Sequence, residues 1–210
     1  MSVRLGPEDA ERLDACVAGG GVAVFPTDTV YGICCDPDDE AAAERLYELK
    51  GRPAAQPAAV MFFALAPALA ALGELRERER AALAALLPGP VTLLLDNRAR
   101  RFLAACRSDP VTIGLRVPLL GESLGAFAAI ERPLMQSSAN RSGEPDARSF
   151  QQVPASLREG ADLALDGGTL AGRPSTVIDL RRYQAEGVWQ VLREGALTAE
   201  TVAGLLAAAS

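Results

Sequence analysis

The chain has no histidine, and only one of its 21 lysine and arginine residues, Lys50, is lysine. Without histidine, zinc sites of the usual spacing and imidazole-activated nucleophiles are excluded. Aromatic residues are scarce, at 5%, which argues against the stacking platforms of single-strand nucleic-acid binders. The four cysteines, Cys16, Cys34, Cys35 and Cys106, include no C-x-x-C pair, and reduced, buried thiols are expected. No apolar run reaches the roughly 18 residues of a membrane span. The stretch Met1 to Asp9 has no signal-peptide core, so a cytoplasmic location is expected. No G-x-x-x-x-G-K-[ST] occurs, and no G-x-G-x-x-G follows a strand. A phosphate group would therefore be held by side chains rather than by those helix-start cradles.

What is present describes a globular α/β chain. Its 210 residues are 49% hydrophobic and 23% charged, enough for one domain over 1–210 with a substantial core. Helical and strand patterns alternate. Helices are expected at Pro7 to Ala18, Glu40 to Lys50, Leu65 to Leu87, Leu120 to Ala129, Ser149 to Arg158 and Thr198 to Ala208. Strands are expected at Val22 to Phe25, Tyr31 to Cys35, Ala58 to Phe63, Val91 to Leu95, Val111 to Val117, Pro133 to Gln136, Leu163 to Leu165, Thr176 to Leu180 and Val188 to Leu192. The charged run Glu74 to Arg80 reads as a solvated helix face. The alternation implies a mixed sheet with flanking helices, and ligands of such sheets gather at loops leaving strand ends.

Those loops are rich in short hydroxyls and cations. They are Pro26-Thr27-Asp28-Thr29-Val30-Tyr31-Gly32, Lys50-Gly51-Arg52-Pro53, Arg116-Val117-Pro118, Ser138-Ala139-Asn140-Arg141-Ser142-Gly143, Pro174-Ser175-Thr176 and Leu192-Arg193-Glu194-Gly195-Ala196. Taken singly, each reads as an ordinary turn. Together they describe a pocket for a polyanion, with arginine forks, one ammonium and neutral donors. The net charge of −6 argues against a surface that embraces nucleic acid throughout, and leaves room for a local cationic cavity.

The ordered set of these motifs, with Pro88-Gly89-Pro90-Val91-Thr92 between them, resembles the YrdC-type threonylcarbamoyl-AMP synthases. The resemblance runs from about Gly20 to Ala196, and the chain is similar to the short form of the family. It implies a twisted mixed sheet enclosing a deep, positively charged cavity. It also implies synthesis of L-threonylcarbamoyl-AMP from L-threonine, bicarbonate and ATP, with release of pyrophosphate. That reaction is the first step of N6-threonylcarbamoyladenosine formation in tRNA, so downstream tRNA-modifying proteins and weak tRNA contact are implied as partners. The family's Lys-x-Arg and Ser-x-Asn signature falls on Lys50, Arg52, Ser138 and Asn140, which are implied as catalytic. The same four residues with Gln56, Thr112, Asp146 and Arg193 are implied to face ATP. Thr29, Arg116 and Ser175 are implied to face threonine. Mg²⁺ is expected on the phosphates, and no protein ligand for it can be named. The chain departs from the family pattern at Cys34-Cys35, Gln56, Met61-Phe62 and Gln136. The alternatives are a structured-RNA-binding module and a same-fold relative with another carbamoyl or acyl acceptor.

Overall fold

The structure is a computed structural model that describes residues 3–53 and 55–209. Met1 and Ser2 of the N-terminal stretch read above, together with Ala54 and Ser210, lie outside the described residues. The first helix, α1 (Pro7–Ala18), starts on a proline whose missing N–H costs nothing there. Strands β1 (Ala23–Phe25) and β2 (Gly32–Cys35) follow, then α2 (Glu40–Lys50), capped by the Asp39 carboxylate on the Ala42 N–H. Next come β3 (Ala59–Met61), α3 (Leu65–Ala71), α4 (Glu77–Leu86), β4 (Val91–Asp96), α5 (Leu103–Cys106) and β5 (Thr112–Arg116). After a 3₁₀ turn at Gly125–Ala129 come β6 (Leu134–Ser138), a second 3₁₀ turn at Phe150–Gln152, α6 (Ala155–Gly160) and β7 (Leu163–Ala164). The chain closes with β8 (Thr176–Asp179), α7 (Tyr183–Glu186), β9 (Gln190–Arg193) and α8 (Ala199–Ala208).

The nine strands join one mixed sheet in the order β7-β1-β2-β6-β3-β5-β4-β8-β9. Side chains alternate across a strand, so each strand divides its residues between two faces. Val24, Cys35, Val60, Leu93, Leu95, Ile113, Leu115, Met135 and Ile178 join the large apolar cluster that also takes in residues of α2, α4 and α8. Ala23, Phe25, Cys34, Met61 and Leu134 turn the other way and pack with α1 and the first 3₁₀ turn. Farther along that second face, Thr92, Leu94, Thr112, Gly114, Arg116, Gln136, Ser138 and Val177 line a cavity instead. The second face is thus half core and half site.

Several expectations change in detail. The helix expected over Leu65 to Leu87 is two helices separated by Leu72 to Arg76. Glu79 explains the restart: its Oε2 accepts from the Arg76 N–H at 2.8 Å, capping α4, and its Oε1 pairs with Arg98 at 2.8 Å. The charged run is therefore not all solvated, because Glu79 is buried. The helix expected at Ser149 to Arg158 is split where Pro154 caps α6, and that expected at Leu120 to Ala129 shrinks to a 3₁₀ turn. The cysteines are free. Burial pushes the Cys35 and Cys106 thiols up to about 12 and about 11, which keeps them protonated fillers of the core.

Candidate active site

The site is a cavity of about 550 Å³ over the open half of the second sheet face. Lys50, Arg52, Gln56, Thr112, Arg116, Ser138, Asn140, Asp146, Ser175 and Arg193 all line it. They come from strands, loops and the end of α2, far apart in sequence, which the sheet order brings together. Thr29 is not on the wall. It is buried behind Arg116 and meets it through its hydroxyl.

One end of the cavity is built on the end of α2. Gly51 has φ 58, and its N–H reaches the Glu48 carbonyl while the Arg52 N–H reaches that of Tyr47. This is the left-handed helix stop that glycine adopts without strain. It leaves Lys50 in the last turn and sends Arg52 back across it. Lys50 is 3% exposed. Its ammonium donates to the Ser138 carbonyl, to the Asn140 carbonyl at 2.8 Å and to Asn140 Oδ1 at 3.3 Å. Those contacts use all three of its donors, so Lys50 holds the Ser138–Asn140 turn as well as supplying charge. Burial, with help from Arg52 and against Asp146, pulls its pKa down to about 8. Ser138 Oγ donates to Asn140 Oδ1 at 2.5 Å, and Asn140 Nδ2 donates to the Glu144 carbonyl at 2.5 Å.

Arg52 donates from Nε to Gln56 Oε1 at 2.9 Å, from Nη1 to Ser137 Oγ at 2.7 Å and from Nη2 to the Pro57 carbonyl. Two of its five N–H donors remain for a ligand. On the far strands, Arg193 donates to the Ser175 carbonyl at 2.8 Å, and Ser175 Oγ meets Thr92 Oγ1 at 2.8 Å. Gly195 lets this pair close up, because a Cβ there would lie 2.1 Å from the Pro174 carbonyl oxygen. Arg181 donates to Thr112 Oγ1 at 3.2 Å. Lys50, Arg52 and Arg193 form no ion pair among the described residues.

The other end is charge-compensated. Arg116, 3% exposed, pairs through Nη2 with Asp28 Oδ1 at 2.5 Å and reaches Thr29 Oγ1 at 2.5 Å and Thr27 Oγ1 at 3.4 Å. Asp28, 7% exposed, is held from its other side by the Leu119 N–H at 3.1 Å. Arg116 Nε is buried with no partner, a donor left for something other than protein. Burial weakens the guanidinium's hold on its proton, and Asp28 opposes that.

A family model described as Sua5_yciO_yrdC, "Telomere recombination", matches residues 15–195. The chain belongs to this family. A threonylcarbamoyl-AMP synthase of Chromohalobacter salexigens is 42% identical over 187 residues, covering 83% of this chain and 95% of its own. A threonylcarbamoyl-AMP synthase of Pyrococcus abyssi is 32% identical over 184 residues, and only 53% of its length is matched. The crystal structure of P. abyssi Sua5 complexed with L-threonine superposes with a TM-score of 0.82 at 29% identity, over 96% of this chain and 58% of that one. E. coli YciO superposes with a TM-score of 0.75 at 26% identity, over 95% of both chains. The family fold is the twisted mixed sheet with flanking helices described above.

The residues that departed from the family pattern separate by position. Cys34, Cys35, Met61 and Phe62 are core residues and do not line the cavity, whereas Gln56 and Gln136 do. Sequence reasoning assigned no role to Asp28, Asp109, Glu144 or Thr92. Thr92 was detectable as the polar member of Val91-Thr92-Leu93, and Asp28 lay within a quoted motif. Asp109 and Glu144 carried no signal, because loop paths alone bring them to the wall. With Asp146 they put three carboxylates among the four lining cations, so the cavity is cationic only in patches.

Proposed function

We propose that the chain is an ATP-dependent synthase of L-threonylcarbamoyl-AMP, acting on L-threonine and bicarbonate and releasing pyrophosphate. The observation that carries this is the convergence of Lys50, Arg52 and Arg193, none with a carboxylate partner, on one cavity beside Arg116. Lys50 is buried, Arg52 half-buried and Arg193 exposed at the rim. Cations without protein counter-ions take them from a ligand, and a triphosphate with a carboxylate supplies them. Lys50, Arg52, Gln56, Thr112, Ser138, Asn140, Asp146 and Arg193 then serve ATP. Arg116 and Ser175 receive threonine, and Thr29 acts by fixing Arg116. The product feeds N6-threonylcarbamoyladenosine formation in tRNA through downstream transfer proteins. The relatives' names favour this reading over an RNA-binding module.

The chemistry suits a site without histidine. The threonine amine takes up CO₂ to give a carbamate, whose anionic oxygen attacks the α-phosphorus as pyrophosphate leaves. An anionic nucleophile needs no side-chain base at that step, so positioning and charge neutralisation carry the catalysis. No group of three or more His, Cys, Asp or Glu suited to a metal ion occurs among the described residues. Mg²⁺ in this proposal therefore arrives on the nucleotide phosphates, with no protein cage of its own. No described helix is long and apolar enough to cross a membrane, in keeping with a cytoplasmic tRNA-modifying role.

The test is pyrophosphate release from ATP and bicarbonate with the amino acid varied. Strong stimulation by threonine over serine and valine is expected. Release indifferent to the amino acid, or none, overturns the proposal, and stimulation by a different acceptor identifies the same-fold alternative.

A further inference from the structure

Tyr47 has no place in the chemistry above, yet it touches both Arg52 and Gln56. The helix stop at Gly51 folds the chain so that the second residue past α2 returns over its last turn. That geometry usually brings two apolar side chains together. Here it sets the Arg52 guanidinium 5.5 Å from the centroid of the Tyr47 ring. The phenol then donates to the Gln56 carbonyl at 2.6 Å, and the Gln56 side chain accepts from Arg52 Nε at 2.9 Å. Ring, phenol, Gln56 and guanidinium form a closed circuit, and Tyr47 itself is buried outside the cavity wall.

A second guanidinium meets the same ring. Arg107, from the loop after α5, lies 4.7 Å from the Tyr47 centroid. Its Nη1 donates to Glu40 Oε1 at 3.0 Å, while Nε and Nη2 have no hydrogen-bond partner, although the side chain is only 9% exposed. A cation against a π face accounts for donors that find no oxygen. That loop and the end of α5 also hold the backbone of the segment after Arg52. The Ser108 hydroxyl donates to the Ala55 carbonyl at 2.6 Å, and the Ala58 N–H donates to the Ala105 carbonyl at 2.9 Å.

We infer that Tyr47, backed by Arg107, is a positioning residue that fixes the direction of the Arg52 guanidinium and of Gln56 toward the nucleotide. The inference rests on the proposed assignment of Arg52 and Gln56 to ATP. An arginine on a loop has many rotamers, and a ring beneath it removes most of them before the ligand arrives. The ring supplies this constraint and the hydroxyl ties down Gln56, so the two parts of Tyr47 are separable. Arg116, Thr29 and Ser175 make no contact with Tyr47 in this structure, so the effect is confined to the nucleotide end.

The experiment compares Tyr47→Leu, Tyr47→Phe and Arg107→Met with the unaltered protein. It measures equilibrium ATP binding by calorimetry, KM for ATP and for threonine, kcat, and melting temperature. Tyr47→Leu is expected to weaken ATP about tenfold, a change equivalent to about 1.4 kcal/mol, with KM for threonine within about twofold. Tyr47→Phe is expected to recover most of the loss, and Arg107→Met to fall between. Equal losses toward both substrates, or ATP binding unchanged in Tyr47→Leu, overturn the inference. Should Tyr47→Leu fail to fold, unchanged ATP binding in both Arg107→Met and Tyr47→Phe overturns it. If the unaltered protein binds ATP but shows no threonine-stimulated release, the proposed function fails instead, and the ATP-binding series still decides the role of Tyr47.

Discussion

The two ends of the cavity solve the problem of a buried cation in opposite ways. At the α2 end, Lys50 and Arg52 are ringed by neutral oxygens from Ser138, Asn140, Ser137, Gln56 and Pro57. Hydrogen bonds fix their direction, and their charge stays unbalanced. At the Arg116 end, Asp28 balances the charge, and Thr27 and Thr29 complete the shell. One end is left to attract a polyanion. At the other the Arg116 charge is balanced by Asp28, with Arg193 close by, and Nε is left buried without a partner, suited to orienting a carboxylate. In the proposed function, binding strength and orientation fall to different ends of one sheet face.

Removing the charge at each end should separate these roles. Lys50→Met keeps the apolar stem and deletes the ammonium. It is expected to cost about 3–4 kcal/mol of transition-state stabilisation, as for a lost oxyanion donor, and a smaller amount of folding stability, about 1–3 kcal/mol, from the Ser138 and Asn140 oxygens that lose their donor. Near-normal turnover would erase the distinction between the ends. Asp28→Ala should do the reverse. Stranding the buried Arg116 is expected to lower stability by about 3 kcal/mol, read by urea denaturation. A neutral result would mean that the pair does not compensate Arg116.

Arg116→Ala is expected to weaken threonine by about 2 kcal/mol, the worth of a hydrogen bond to a charged group, and ATP by much less. Equal shifts in the two KM values would place both substrates on Arg116. The smallest effect is set by pH. Lys50 titrates at about 8, well below the usual 10.5. As pH rises through about 8 the charge disappears from the folded protein first. kcat/KM for ATP should then fall toward tenfold per unit, and Lys50→Arg should abolish that limb. Over the same window the unfolded chain still binds the proton, so the contribution of this group to stability rises between 8 and 10.5. Activity and stability should therefore diverge. A parallel fall in both would point to a different group.

Much of the fold was legible locally. Pro7 and the glycines after Ala18 bound α1, and Asp39 with Gly51 bounds α2, because caps are short-range chemistry. The expected helix over Leu65 to Leu87 failed because Glu79 carries no outward sign that it will turn back to cap α4 and meet Arg98. Two short helices, α5 and α7, were missed because they span only four residues each, too few for a periodic pattern. The site residues were reached by matching ordered motifs, and one cavity brings together all of them but Thr29. Tyr47 and Arg107 were invisible as site residues. Tyr47 lay unremarked within the expected helix Glu40 to Lys50, and Arg107 lay in a stretch with no motif.

The sequence by itself determined the caps, the alternation along the strands and the loops that hold the cations. Those depend on neighbours within a few residues, and the chain carries them wherever it folds. Only the tertiary structure decided that one sheet face is closed while the opposite one is closed for half its width. It also decided that Lys50 spends its donors on the Ser138–Asn140 turn, and that Arg116 lines the cavity while paired with Asp28. Those outcomes depend on strand order and register. A residue such as Thr112 or Arg116 faces the cavity rather than core because of which strands lie beside it and which helices stop short of covering it.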